Sequence, residues 1–169
     1  MAEAFVSIVM GSDSDLPVMR ATFDVLDRFG VRWEARVTSA HRTPQKTHDY
    51  IKDAEARGCA VFIAAAGLAA HLGGVVASLT VRPVIGVPMD GGPLNGHDAL
   101  LSTVQMPGGI PVACVAIGKA GARNAGFLAA QILGVSDEEI ASRIQAQRDD
   151  NVNEIAAKDQ ALQEEISQR

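Results

Sequence analysis

The chain has 169 residues, of which 47% are hydrophobic and only 4% aromatic, a length and composition suited to one domain with a sizeable core. Its formal net charge of −5 is unevenly spread: residues 1–136 carry 11 acidic and 11 basic side chains, residues 137–169 carry 9 and 4. Neither part has the basic excess of a nucleic-acid or membrane-surface binder, so both classes of partner are excluded.

In chain order, Phe5-Val6-Ser7-Ile8-Val9-Met10 is a short apolar run that predicts a strand over 4–10. It stops at Gly11-Ser12-Asp13-Ser14-Asp15, and Pro17 opens a helical pattern over 16–29. Gly11 permits a tight turn. The Ser12 and Ser14 hydroxyls, with the N–H groups of the helix start, can hold a phosphate, and Asp15 can accept from ribose hydroxyls or cap the helix. A second strand over 31–37 runs into Ser39-Ala40-His41-Arg42-Thr43-Pro44, with Pro44 placed as the first residue of a helix over 44–57. This hexapeptide sets a proton-moving imidazole, His41, beside a guanidinium whose fork of donors suits phosphate or carboxylate.

A third strand over 59–65 leads into Ala64-Ala65-Ala66-Gly67-Leu68-Ala69-Ala70-His71-Leu72-Gly73-Gly74, where small residues let a ligand approach the backbone and His71 is the one group able to do acid–base chemistry. A helix is expected over 69–80 and a fourth strand over 83–87. The loop Pro88–Asp98 that follows is long and rich in Gly and Pro, which a compact domain keeps for a functional reason. A helix over 98–105, a strand over 112–117 and a helix over 120–133 complete the body. Five strands alternating with helices predict an α/β fold, a three-layer doubly wound parallel sheet of flavodoxin-like order 2-1-3-4-5, with the ligand at the carboxyl ends of the strands.

Beyond the body, Ser136-Asp137-Glu138-Glu139 reads as a capping box opening one long C-terminal helix over 136–169. Ile140, Ile144, Val152, Ile155, Leu162 and Ile166 recur at steps that mark a narrow apolar stripe, of the kind that docks on another surface. The division expected is therefore a catalytic domain over 1–135 and a helical extension for oligomer packing over 136–169. Cys59 and Cys114 sit in apolar strand-like runs and are expected as buried free thiols; no Cys/His spacing suits zinc. No basic segment followed by a hydrophobic stretch opens the sequence, and no apolar run is long enough for a bilayer, so a cytoplasmic location is expected.

Taken together, Gly11–Asp15, Ser39–Pro44, Ala69-Ala70-His71-Leu72, Gln105-Met106-Pro107 and Asn124–Leu133, in that order, resemble the purine-biosynthetic N5-carboxyaminoimidazole ribonucleotide mutases, the PurE family, over about residues 4–135. The resemblance implies a three-layer α/β fold, a homo-octamer, no cofactor and no metal. It implies conversion of a small ribonucleotide, N5-carboxyaminoimidazole ribonucleotide, to 4-carboxy-5-aminoimidazole ribonucleotide. Position by position, it makes His41 the general acid/base, His71 a second catalytic-site histidine, and Ser12, Asp15 and Arg42 substrate-binding residues. Gly11, Ser14, Ser39, Ala40, Gly67, Ala70 and Leu72 are further candidates in the same loops.

Ala65, Leu68 and Gly73 depart from the family pattern, which often has Gly, then Gly or a small residue, and then Pro at these positions. The related carboxylases, which use free CO₂ and aminoimidazole ribonucleotide, tend to carry Lys after the catalytic His and a Ser-Asn pair in the third loop, where this chain has Arg42 and Ala70-His71. A flavin carrier would place aromatics in its ligand loops. A receiver domain would need an acceptor Asp after strand three, where Ala64-Ala65-Ala66-Gly67 stands.

Overall fold

The computed structural model describes residues 4–169. Within them, β1 (Phe5–Met10), β2 (Trp33–Val37), β3 (Cys59–Ala66), β4 (Val84–Pro88) and β5 (Ala113–Cys114) form one parallel sheet in the order β2-β1-β3-β4-β5. Strands β1 and β4 are buried along their whole length because helices cover both faces of a parallel sheet, which is why they read as apolar runs, broken in β1 only by Ser7, whose hydroxyl meets that of Tyr50 at 2.7 Å. The helices are α1 (Leu16–Arg28), α2 (Pro44–Ala56), α3 (Leu72–Leu79), α4 (His97–Val104), α5 (Gly118–Gly134) and α6 (Glu138–Ser167).

Strand alternation divides the core into two layers. Val6, Ile8 and Met10 of β1 point to the side of α1 and α5, with Met19, Val25, Leu26, Ala122, Ala125 and Ala129. Phe5 and Val9 point to the side of α2 and α3, with Ile51, Ala54, Leu72 and Val76. Each fully buried large side chain here, such as Leu26 or Ile51, contributes about 1.5–3 kcal/mol by leaving water. Small residues set the helix spacing. A Cβ on Gly126 would lie 2.9 Å from Val25 Cβ, so α5 rides directly on α1, and the Thr22 hydroxyl donates to the Ala122 carbonyl at 2.6 Å across that seam. On the other face, a Cβ on Gly86 of β4 would overlap the Thr103 methyl, which is how α4 comes down onto the sheet.

Most expected elements stand within two residues of their positions, and three differ for physical reasons. β5 keeps only Ala113 and Cys114 of the expected 112–117, since only these two register with Ile85 and Gly86 before the chain leaves the sheet. α3 begins at Leu72 rather than 69, because the His71 N–H donates to the Ala69 carbonyl at 2.8 Å in a tight turn that leaves His71 as the N-cap. α6 begins at Glu138 and is capped by Asp137, whose carboxylate accepts from the Glu139 and Ile140 N–H groups at 3.0 and 3.1 Å. Ser136 instead donates to the Leu133 carbonyl, so it does not form the expected capping box. Cys59 is buried, whereas Cys114 is only partly so.

The start of α6 folds back on the body. Ile144 is buried in the α1/α5 layer, Arg143 donates to the Phe29 carbonyl at 2.8 Å, and Arg28 donates to Gln147. From Arg148 onward every residue is exposed, including Val152, Ile155, Leu162 and Ile166. Among the described residues no helix is long and apolar enough to cross a membrane.

Candidate active site

The sheet order places the loop after β1 between the loops after β2 and β3, all at the carboxyl ends of their strands. A cavity of about 710 Å³ opens there, within the range of small-molecule sites. Gly11, Ser12, Ser14 and Asp15 line it from β1, Ser39 to Arg42 from β2, Gly67, His71 and Leu72 from β3, so nearly every residue singled out in the sequence converges on one crevice. Ala70 is the exception: it is buried behind the wall and does not line the cavity.

The β1 loop is pinned by its own side chains. Ser12 caps a short 3-10 turn, Asp13–Asp15, accepting from the Ser14 N–H at 3.3 Å, while its own N–H donates to Asp15 at 3.3 Å. Burial pushes the Asp15 carboxyl above the ordinary carboxylate range, against the opposing pull of its bonds from Ser12 and Ser14.

The β2 loop is held more firmly still. The Thr43 hydroxyl accepts from the Ser39 N–H at 2.9 Å, the Arg42 N–H donates to Ser39 Oγ at 3.1 Å, and the Thr38 and Thr47 hydroxyls meet at 2.7 Å beneath. This ties the ends of the loop together and turns His41 and Arg42 outward. Arg42 Nη2 then donates to the Gly11 carbonyl at 3.0 Å, clasping the β1 and β2 loops.

His71 arrives from the other side, at the N-cap of α3. Its Nδ1 lies 2.8 Å from His41 Nε2, with the rings nearly perpendicular at 85° and their centroids 4.8 Å apart. A hydrogen bond at that distance needs one nitrogen to donate and the other to accept, so the pair shares a single proton along this line. A second proton on it would set two N–H donors against each other. The arrangement can therefore hold an imidazole in a fixed orientation and pass a proton.

The cavity is chemically divided. Ser12, Ser14 and Arg42 bring donors on the β1/β2 side, whereas Ala66, Leu68, Ala69, Leu72 and Met89 make the β3/β4 side apolar. The Pro88–Asp98 loop was expected to matter, but no residue of it was singled out; Met89, Asp90, Gly91 and Gly92 prove to form the far wall. Val18, on the first turn of α1, also lines the cavity, and no signal in the sequence marked it. His48 pairs with Asp49 and His97 with the Leu94 carbonyl, both outside the crevice. Among the described residues no three His, Cys, Asp or Glu side chains group as a metal would require.

A crevice of this kind, cut into the carboxyl edge of a doubly wound parallel sheet, is where flavodoxin-like α/β proteins take their ligands. The chain belongs to the AIR carboxylase family, whose model matches residues 5–154. It is 52% identical over 159 residues to the N5-carboxyaminoimidazole ribonucleotide mutase of Thermotoga maritima, an alignment covering 94% of this chain and 92% of that protein. The mutase of the same name from Bacillus subtilis is 52% identical over 147 residues, covering 87% and 91%. Among solved structures, Treponema denticola PurE superimposes with a TM-score of 0.86 at 31% identity, covering 95% of this chain and 99% of that one. A point variant of PurE2 from the same organism gives 0.87 at 30%, covering 95% and 98%.

Proposed function

We propose that the chain is an N5-carboxyaminoimidazole ribonucleotide mutase, an isomerase of purine biosynthesis, working at the crevice between the β1, β2 and β3 loops. The observation that carries the site assignment is the 2.8 Å contact between His41 and His71, set beside the donors of Ser12 and Arg42. Arg42, Ser12 and the N–H groups of the 3-10 turn take the 5′-phosphate, and Asp15 takes the ribose. Phosphate binding then positions the aminoimidazole for a reaction several ångströms away.

The carboxyl transfer proceeds in two steps. The N–CO₂ bond breaks, its electron pair returns to the exocyclic nitrogen, and that nitrogen takes a proton from His41. The ring carbon C4 then attacks the retained CO₂, and His41 removes the C4 proton, so protons and charge balance over the cycle. His71 orients the His41 ring and exchanges a proton with it. The reaction asks for no cofactor, since the substrate carries both the carboxyl group and the electrons.

The catalytic unit is residues 1–135, and the extension over 136–169, whose start is seated on that unit, packs its exposed part from Arg148 onward against other subunits in a homo-octamer located in the cytoplasm. Leu101 at 61% exposure, and Val152 and Ile155 at 67% and 65%, support association, because so much apolar surface is costly to leave in water.

Fate of the carboxyl group tests the activity. Substrate carrying a ¹³C carboxylate, turned over in excess unlabelled bicarbonate without metal or nucleotide, is expected to pass its label to the C4 carboxylate, followed by NMR. Complete washout, or efficient use of aminoimidazole ribonucleotide plus CO₂, would assign the carboxylase reaction instead.

A further inference from the structure

Leu68 is the least comfortable residue in the crevice. Its φ of +56° lies in the left-handed region, where a branched side chain other than Asn or Asp is a marked outlier, and its side chain is 53% exposed. It belongs to neither core layer, so burial there does not offset the strain. Its Cδ2 atom occupies the space that a Cβ on Gly92 would need, and Gly92 itself takes φ +84°. The loops after β3 and β4 are thus bridged by one leucine seated on one glycine, and both residues line the same cavity as His71. Strain held in place without a packing reason clusters at ligand clamps.

We infer that Leu68 is the apolar cover that keeps CO₂ from leaving the pocket between the two half-reactions, with Gly92 left bare to receive it. This rests on the mutase reading above. CO₂ is small, uncharged and poor at hydrogen bonding, so polar groups cannot retain it; an apolar wall that excludes water can. Ala66 at the end of β3, Ala69 in the loop, Leu72 at the start of α3 and Met89 just past β4 supply most of that wall. Leu68 closes the side facing Gly91 and Gly92, where no side chain stands. While it is in place, CO₂ freed from the exocyclic nitrogen has C4 as its nearest nucleophile. Without it, CO₂ escapes, and the nitrogen, already protonated, leaves as free aminoimidazole ribonucleotide. Leu68 makes no bond to substrate, so it is a positioning residue and not a catalytic one.

The test compares wild type with Leu68→Gly and Leu68→Asn, two residues that accept positive φ. Substrate with a ¹³C carboxylate is turned over in excess unlabelled bicarbonate, and two quantities are read: label retained at C4, and free aminoimidazole ribonucleotide released per product formed. Both variants are expected to melt at or above the wild-type temperature, because strain is relieved. Both are expected to lose several-fold more label and to release several-fold more free ribonucleotide. If either variant fails to fold, the other supplies the reading. Wild-type partitioning in a folded variant would overturn the inference while leaving the mutase reading intact, since a merely structural leucine would move the melting temperature and not the partition. Complete loss of label by wild type would overturn both.

Discussion

Arg42→Ala tests whether the polar side of the crevice recognises phosphate. The guanidinium has five N–H donors, and among the described residues its one bond is from Nη2 to the Gly11 carbonyl at 3.0 Å. Its remaining donors are available to a ligand beside Ser12, and its exposure means that solvent screens whatever they bind. A hydrogen bond to a charged group contributes ~1.5–3 kcal/mol, and removing one corresponds to a 10- to 150-fold weaker complex. Two donors would double this in a dry site; with Arg42 exposed, the expected rise in KM stays near the top of the one-bond range, about 100-fold. Arg42→Lys should recover only part, since an ammonium cannot hold Gly11 and grip two phosphate oxygens at once. The assay measures KM for the ribonucleotide and inhibition by the matching ribonucleoside, which lacks the phosphate. The loss should fall on the ribonucleotide alone. An unchanged preference between the two would refute the assignment, whatever the variant does to overall activity.

His41→Asn should lower kcat by at least ~10²-fold with substrate binding kept, because an amide cannot exchange protons in the working range; near-normal turnover would remove His41 from the chemistry. Asp15 gives a pH signature. Burial raises its carboxyl above the ordinary value of 3.8, so folding favours its protonated form, and the charged form costs stability as pH rises through and above that window. Thermal melts of Asp15→Asn and wild type should therefore differ in favour of the variant near neutrality and converge as pH falls towards about 4; a gap independent of pH would mean that the cost lies elsewhere. Ending the chain after Asp150 removes four exposed apolar residues, Val152, Ile155, Leu162 and Ile166, while leaving Ile144 in the core. Light scattering should report a smaller assembly or insoluble protein, and an unchanged mass with unchanged stability would deny the tail a role in association.

Much of this was legible because the sheet is parallel. Buried strands such as Phe5–Met10 and Cys59–Ala66 are mostly apolar runs, and the loops at their carboxyl ends must share one edge, so the Gly11–Asp15 and Ser39–Pro44 segments could be brought together from the sequence alone. What the sequence could not carry depends on geometry between elements. The His41–His71 contact joins residues thirty apart through the register of three strands. Asp137 and not Ser136 caps α6 because Ser136 is spent on Leu133 at the end of α5. Val18 lines the cavity from the first turn of α1, just past the 3-10 turn, whereas a valine on an amphipathic helix reads as core. Leu68 was visible as a departure from the family pattern, but its left-handed backbone was not, since leucine is among the last residues from which that conformation is inferred.

The residues with positive φ are divided between the two ends of the sheet, and the division separates stability from function. Gly30, Gly58 and Gly109 follow α1, α2 and α4 on the way into β2, β3 and β5, and at the first two positions glycine ends a helix without steric cost. Leu68, Gly92, Asn95, Gly96 and Gly118 follow β3, β4 and β5, around the crevice. Here the chain tolerates side chains that strain it, a cost of about 1–3 kcal/mol at Leu68 that a glycine would avoid. The β4 loop is clamped at two points. A Cβ on Gly96 would come within 2.7 Å of the Met89 carbonyl and of Ile117, and one on Gly118 within 3.1 Å of the Asp90 carboxylate, which sits at the N-terminus of α5 where a negative charge is favoured. Between those points lie Gly91, with open space where a side chain would be, and Gly92 under Leu68. On this wall Gly91 and Gly92 carry no side chain and face the strained leucine, whereas the side assigned above to phosphate is braced by the hydroxyl contacts of Thr38, Ser39, Thr43 and Thr47. Under the proposed reaction the site seizes a dianion and then holds an uncharged gas, and the two sides of the crevice divide that work: the hydroxyl-braced side supplies the grip, and the apolar side faces CO₂.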